Sequence, residues 1–487
     1  MNVSFCQPNL STVLEIEDQV NTLAVRGNSY YLRSGKTEKN AYTMEDNVLS
    51  NHAVNESGLN QSSNAYRLPV IYFFVLSERH CDGGLPEYIK HSLIQAVMTQ
   101  QDADVMLISN YKQCPKMKMH VDLLQGVLQI ESESYSNERE KKFHNLSGDM
   151  FQDDGSGNLW VTSALRFFFL EEIMKQKGYK EVIHIEADNM LYGSFTSLLD
   201  IFRSGYKNSL AATPLNSNKT FMTASVLWIA NVATISFFND FLMSLAENAK
   251  FLHALPPFHA KKQNELTSDG KPKGLWDLYL DWLAPYACCK YGGVRQDAKG
   301  MGLKPFAINE MSLMAYFHEL FPERFMLLPV VPNYDFVLNK HIANITEYTP
   351  AGRESGQPTS IGKFSGIWDP NSWGQYLGGT SPKNGRDKGF TDGSHIAGIA
   401  IRIAQCRPHM MCGNKIMHRL PIERRVIQNG TSPALECYTV PHARCGDISS
   451  NNNSQQNYNN DWSPLWNLHV HSKHTANYVS SPCECGT

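Results

Sequence analysis

The sequence predicts an α/β protein, an open and mostly parallel sheet flanked by helices, with a polar leader before it and an extension after it. Three observations carry that expectation. Short apolar runs of strand length alternate with longer stretches on helical spacing, the pattern of βαβ units. The chain has 487 residues, 42% apolar and 11% aromatic, ample for a large core. An acidic triplet, Glu186-Ala187-Asp188, stands directly after one of the apolar runs. Open α/β sheets bind their ligands outside such strand ends.

Residues 1–66 are rich in Asn, Ser and Glu and show little periodicity, so they are expected to form a flexible leader. A core is expected over 67–345 and a C-terminal segment over 346–487. Pro69–Leu76 reads as a buried strand, and Gly83, Gly84 and Pro86 mark the turn after it. Ile89, Leu93, Ile94 and Val97 then follow helical spacing behind Pro86. Val105–Ser109 is the next short strand. Residues 158–174 place Leu165, Phe168, Phe169 and Ile173 on helical spacing, with Gly178 as a stop signal. Residues 181–185 form a strand that ends in Glu186. Ser209–Thr213 and Ala224–Ala230 read as further strands, and Asn231 caps a helix running to Leu245. The Asn/Ser/Gln-rich stretch 449–460 reads as a flexible loop.

A net charge of -3 gives no electrostatic footprint for nucleic acid. The run Val70–Leu76 is far shorter than the roughly 20 residues a membrane-spanning helix needs. Residues 1–30 carry Glu15, Glu17 and Asp18 and no apolar block of signal-peptide type, so a cytoplasmic address is the expectation. Eleven cysteines in a chain this long do not make a disulfide scaffold. Free thiols are expected, with a structural zinc site among the late cysteines as the alternative. The sequons at Asn145, Asn344 and Asn429 are of the number an Asn-rich chain produces by chance.

Glu186 and Asp188, two apart at a strand end, can turn towards one ion when the chain bends. Paired carboxylates suit a hard divalent cation such as Mn²⁺ or Mg²⁺. The competing reading is a solvated acidic turn. Asp102-Ala103-Asp104 has the same spacing but precedes its strand, which puts it at the opposite sheet edge. Leu468-His469-Val470-His471-Ser472-Lys473 is the most unusual stretch. A period of two would put His469, His471 and Lys473 on one side of a strand. A surface strand with chance histidines is the alternative. His184 reads as a strand histidine supporting the sheet.

The run Leu165-Arg166-Phe167-Phe168-Phe169-Leu170-Glu171-Glu172, followed by Val182-Ile183-His184-Ile185-Glu186-Ala187-Asp188-Asn189-Met190-Leu191-Tyr192, resembles GT-A type glycosyltransferases. In that family an aromatic-rich helix precedes a strand that ends in a D-x-D motif. Residues 224–231 and 309–314 resemble its later strand and its later acidic segment. Glu186 stands at the first acidic position of the motif, where the family usually has Asp. The resemblance implies a GT-A-like (Rossmann-like) fold and a metal site of Glu186, Asp188 and His469 or His471. It also implies Lys473 on the diphosphate and a nucleotide-sugar donor, UDP-linked by family habit. The acceptor, whether glycan, protein or small molecule, is not implied.

Residues 366–379 have strong turn character, with Gly378 and Gly379 suited to a close backbone approach to a ligand. Trp368 and Trp373 are rings of the type that stack on sugars, or else core tryptophans. An inverting enzyme needs a carboxylate base, for which Glu310, Asp369 and Asp392 are the candidates. A retaining enzyme needs none. Two readings compete with transfer: a sugar nucleotidyltransferase, and a carbohydrate-binding scaffold that has kept the fold. No P-loop, H-E-x-x-H or G-x-S-x-G motif points elsewhere.

Overall fold

The computed structural model describes residues 66–151, 159–215, 220–250, 274–290 and 308–328, together with short pieces between 364 and 480. Asp392, Gly378 and Gly379 lie outside the described residues, as do 1–65, 449–460 and the sequons at Asn344 and Asn429.

The central sheet is built from β1 (Leu68–Phe73), β2 (Ala103–Ser109), β3 (Val127–Glu131), β4 (Val182–Ile185), β6 (Leu210–Pro214), β7 (Met222–Ile229) and β8 (Phe325–Leu327). A short β5 (Asn189–Leu191) follows β4 and lies outside that sheet. The order is β3-β2-β1-β4-β7-β6-β8. Only β7 runs against its neighbours, pairing antiparallel with both β4 and β6. The mostly parallel sheet predicted from the sequence is the one observed. β1 is shorter than expected, ending at Phe73 rather than Leu76.

The helices are α1 (Glu87–Thr99), α2 (Pro115–Asp122), α3 (Glu138–Met150), α4 (Leu159–Lys177), α5 (Leu199–Gly205), α6 (Val232–Lys250), α7 (Leu275–Lys290) and α8 (Glu310–Leu320). Gly178 ends α4 with a φ of +67°, a left-handed backbone that glycine adopts without steric cost. The Asn231 side chain accepts from the Thr234 N–H at 2.9 Å and caps α6.

Side chains alternate across the sheet, as a pleat requires. Ile71 joins a core with Phe167, Phe168, Phe238 and Phe317 from α4, α6 and α8. Val70 and Tyr72 join the core on the other face, with Ile89 and Leu93 of α1 and Phe202 of α5. Each face thus buries one stripe of every central strand. His184 is fully buried on β4 and hydrogen-bonds the Ile71 carbonyl at 2.9 Å, the sheet-supporting role expected of it. Burial holds its imidazole well below the ordinary histidine range, so it is neutral.

Four further strands, β9 (Arg407–Cys412), β10 (Lys415–Arg419), β11 (Val440–Arg444) and β12 (Trp462–Pro464), form a separate antiparallel sheet that the sequence reading did not anticipate. The last strand, β13 (Asn467–His469), pairs antiparallel with β5. A disulfide joins Cys81, just beyond β1, to Cys114, at the start of α2. The expectation of free thiols therefore does not hold for this pair.

Candidate active site

Leaving the sheet at Ile185, the chain turns through Glu186-Ala187-Asp188, and the Asn189 N–H closes the turn on the Glu186 carbonyl at 3.1 Å. The neighbouring strand holds this turn from below. The Glu186 N–H donates to the Ser225 carbonyl at 3.2 Å, and the Asn189 amide donates to the same carbonyl. Both carboxylates therefore project from one rigid edge of β4, at the carboxyl end of the parallel strands. Asp104, by contrast, opens β2 at the opposite edge and pairs with exposed Arg67 at 2.6 Å. The different fates of the two acidic triplets follow from strand direction alone.

His469 arrives from 280 residues downstream through the ladder between β13 and β5, where it faces Asn189. Its Nε2 lies 3.0 Å from Asp188 Oδ1 and 3.5 Å from Glu186 Oε2. Ligand atoms of Glu186, Asp188 and His469 all fall within 4.8 Å of one another. That cluster fits a divalent cation: two carboxylates and one imidazole, converging from two elements with little exposure. Burial alone would raise the Asp188 pKa, but His469 and Lys473 outweigh it and hold the carboxyl well below its ordinary value. Burial lowers the His469 pKa, and the carboxylates of Asp188 and Glu186 reverse that and raise it.

His471 and Lys473 do not extend the strand as period-two spacing predicts. β13 ends at His469, where the Val470 N–H bonds the Asp188 carbonyl at 2.9 Å and the chain turns. His471 lies outside the cluster of close ligand atoms, its ring 6.5 Å from that of His469. Lys473 returns by the turn, its N–H on the Val470 carbonyl at 2.9 Å and its φ at +63°. Its ammonium bonds Asp188 Oδ2 and lies 5.0 Å from the Tyr88 ring centroid at the start of α1.

Arg166 is a residue whose role the sequence reading missed. It projects from α4 with a side chain only 7% exposed, donating to Glu186 Oε1 at 2.8 Å and lying 3.5 Å from Glu310 Oε1. The signal was present: a lone guanidinium inside an aromatic helical run, immediately before the acidic strand. Such a charge stays buried only with partners. Glu310 opens α8 behind the cap of Asn309, whose side chain accepts from the Ser312 N–H at 2.9 Å. Burial pushes the Glu310 carboxyl up to about 7 although Arg166 pulls the other way.

Asp369 proves to be a structural tie. It is fully buried, and its carboxylate accepts from the backbone N–H of Trp373 at 2.9 Å, Gly374 at 2.9 Å and His469 at 3.0 Å. Desolvation raises its pKa to about 6 against the pull of these donors. Asn467 completes the tie, donating to the Asp369 carbonyl at 3.0 Å and to Asn189 Oδ1 at 3.0 Å. Trp368 and Trp373 are fully buried, so the sugar-stacking expectation gives way to core packing. Trp368 stacks on Phe195 at 5.7 Å between centroids, and Trp373 joins the core on the other sheet face.

No protein-family model matches the sequence, and no curated protein matches it. Among solved structures, the chain is similar to apo mouse xyloside xylosyltransferase 1, at 11% identity and a TM-score of 0.33, over 58% of this chain and 93% of that one. It is similar to the PaToxG glycosyltransferase at 10% identity and a TM-score of 0.27, over 49% of this chain and 70% of that chain. It is also similar to the apo bifunctional glycosyltransferase WbbM, at 11% identity and a TM-score of 0.29, over 62% and 48% of the two chains. All three of these neighbours are glycosyltransferases by name. Likeness this distant carries no argument of its own, and the functional reading rests on the site.

Proposed function

We propose that the protein transfers a sugar from a nucleotide diphosphate donor, with UDP as the nucleotide and a divalent cation, Mn²⁺ or Mg²⁺, at Glu186, Asp188 and His469. The observation that carries this reading is the convergence of those three side chains at the carboxyl edge of β4, with the Lys473 ammonium beside them. When bound there, the cation supplies charge neutralisation for the diphosphate leaving group.

The chain's own residues supply the rest. Lys473 offers a point charge to a phosphate oxygen. Arg166 holds Glu186 in place from behind and lies between it and a second acid, Glu310. Glu310 is the candidate base for an acceptor hydroxyl, since a carboxyl held to about 7 accepts a proton effectively near neutral pH. Asp369 fixes the backbone of His469 and so orients its ring. Gly378 and Gly379 keep the place given them by the sequence, as a backbone approach to the donor, and Asp392 keeps its place as a candidate base after Glu310 and Asp369.

Calorimetric titration of UDP and GDP, with and without Mn²⁺, tests the reading in the wild type and in Asp188→Ala and His469→Ala. Cation-dependent nucleotide binding that both substitutions abolish supports it. Absence of binding with any cation would leave a scaffold with a transferase-like sheet. Incubation with UDP-sugars then separates a turning-over enzyme from a binding protein, through cation-dependent release of UDP.

A further inference from the structure

Glu186 and Asp188 are each already matched by a cation of this chain. Arg166 Nη1 lies 2.8 Å from Glu186 Oε1, and the Lys473 ammonium bonds Asp188 Oδ2. Across these four side chains the formal charges cancel, with Glu310 also 3.5 Å from Arg166 and His469 3.0 Å from Asp188. A divalent cation arriving alone therefore meets carboxylates that are already partnered, and it must bind Asp188 through Oδ1, beside His469, while an ammonium sits on Oδ2 of the same carboxylate and repels it. A diphosphate arriving alone meets an ammonium engaged with Asp188 and flanked by a second carboxylate. Each ligand is disfavoured by the partner that the other would remove.

The two basic residues differ in their freedom to move. Arg166 is anchored mid-helix, its side chain 7% exposed and its guanidinium 5.3 Å from the Phe167 ring centroid. Lys473 lies beyond the last strand, on a turn, with its side chain 34% exposed. The left-handed φ of +63° aims that side chain back at Asp188, a backbone position that residues with a Cβ seldom occupy. A flexible four-carbon stem with an open side can carry its charge a few ångströms towards a ligand. Arg166 has no such path.

Building on the donor reading above, we infer that Lys473 is an internal counter-ion that couples cation and diphosphate binding. It rests on Asp188 Oδ2 in the free protein and passes to the diphosphate when the donor arrives, which takes a repelling charge away from the cation and leaves it both Asp188 oxygens. The two ligands then bind with positive coupling, and the coupling is reciprocal: diphosphate raises cation affinity by the factor by which cation raises diphosphate affinity. No bond is made or broken in this exchange of ion pairs.

The test is calorimetric titration of Mn²⁺ alone, without nucleotide, into the wild type and Lys473→Met. The unmasked Asp188 of the variant is expected to bind Mn²⁺ about tenfold more tightly than the wild type, within the usual range of such couplings. UDP binding in the presence of Mn²⁺ is expected to weaken in the same variant, so that the coupling factor shrinks. Lys473→Gln should behave likewise, and Asp188→Asn added to Lys473→Met should cancel the gain. Melting curves establish that each variant is folded. Mn²⁺ binding that is unchanged or weaker in folded Lys473→Met and Lys473→Gln, including no binding in either, overturns the inference. UDP that binds neither wild type nor variant at any Mn²⁺ concentration sinks the donor reading instead, and the Mn²⁺-only comparison still decides whether Lys473 masks Asp188.

Discussion

Glu310 and Asp369 are both buried carboxyls near the candidate site, and their surroundings separate their roles. Asp369 spends its oxygens on three backbone N–H groups, whereas Glu310 has one buried oxygen without a hydrogen-bond partner. The Glu310 pKa is raised from 4.5 to about 7, so the folded state binds the extra proton between those values. Its contribution to stability is therefore fullest below pH 4.5 and is lost as pH rises through about 7, a change on the order of 3 kcal/mol. Activity should run the other way. A base must be deprotonated, so turnover is expected to rise as pH passes about 7. Glu310→Gln should flatten the stability slope, read from melting curves at pH 5 and pH 8. The same variant should lower turnover by about 10²–10⁴-fold if Glu310 is the base. A retained pH-rate profile in that variant would remove Glu310 from the chemistry. Asp369→Ala should act differently, through stability. Leaving buried N–H groups unpaired costs about 1–3 kcal/mol for each group. Cation affinity should fall with it, because His469 loses its backbone tie. The placing of Glu186 and Asp188 together at a strand end was legible from spacing, while His469 beside them was implied by the resemblance. The role of Asp369 was not, because its partner His469 lies 100 residues away and is reached only through the fold.

Among the elements, β13 contributes more to function than its three residues suggest. It delivers His469 by pairing with β5, and the chain beyond it is fastened to α1 as well. Gln95 donates to Ser480 Oγ at 2.9 Å and accepts from the Ser480 N–H at 2.9 Å. Close approaches fix its position on both sides. A Cβ on Gly374 would collide with the His469 carbonyl oxygen, and one on Gly193 would collide with the Trp466 ring. Comparing two fully buried leucines isolates this contribution. Leu107→Ala in β2 and Leu468→Ala in β13 should each cost about 2–5 kcal/mol of stability, as large-to-small core changes do. Only Leu468→Ala should also weaken Mn²⁺ binding, measured by calorimetry at a temperature where both variants are folded. Equal loss of Mn²⁺ affinity in both would mean that the site depends on global stability and not on β13. Strands β1, β2, β4, β6 and β7 of the main sheet were legible because each is a short apolar run bounded by turns, whereas the edge strands β3 and β8 were not read from the sequence. The path of residues 470–473 was not. Period two assumes that a strand continues, and the Val470 N–H bond to Asp188 ends it one residue after His469.

For the molecule as a whole, the sheet is a platform whose amino-terminal edge ends in surface ion pairs and whose carboxyl edge gathers buried charge. The Cys81–Cys114 disulfide ties that carboxyl edge together, linking the segment after β1 to the start of α2. Composition could not reveal it, since eleven cysteines allow many pairings and the two partners are 33 residues apart in sequence. Such bonds persist in oxidising compartments, which sets this pair against the cytoplasmic address expected from the leader. In the chain-entropy account, closing a loop of that length constrains the unfolded state by about 3–4 kcal/mol. Reduction, or Cys81→Ser with Cys114→Ser, should therefore lower the melting temperature by several degrees, since about 1 kcal/mol moves a domain of this size by a few degrees at most. Thiol counting by mass spectrometry after alkylation under denaturing conditions should find Cys81 and Cys114 protected until reductant is added. The ligand side chains come from the Glu186 turn and β13, segments that do not carry the bonded cysteines. Mn²⁺ affinity below the melting temperature should accordingly change little on reduction. A reduced protein that melts unchanged would show that the sheet edge is held by packing alone, and a reduced protein that stays folded but no longer binds Mn²⁺ would place the disulfide among the supports of the site.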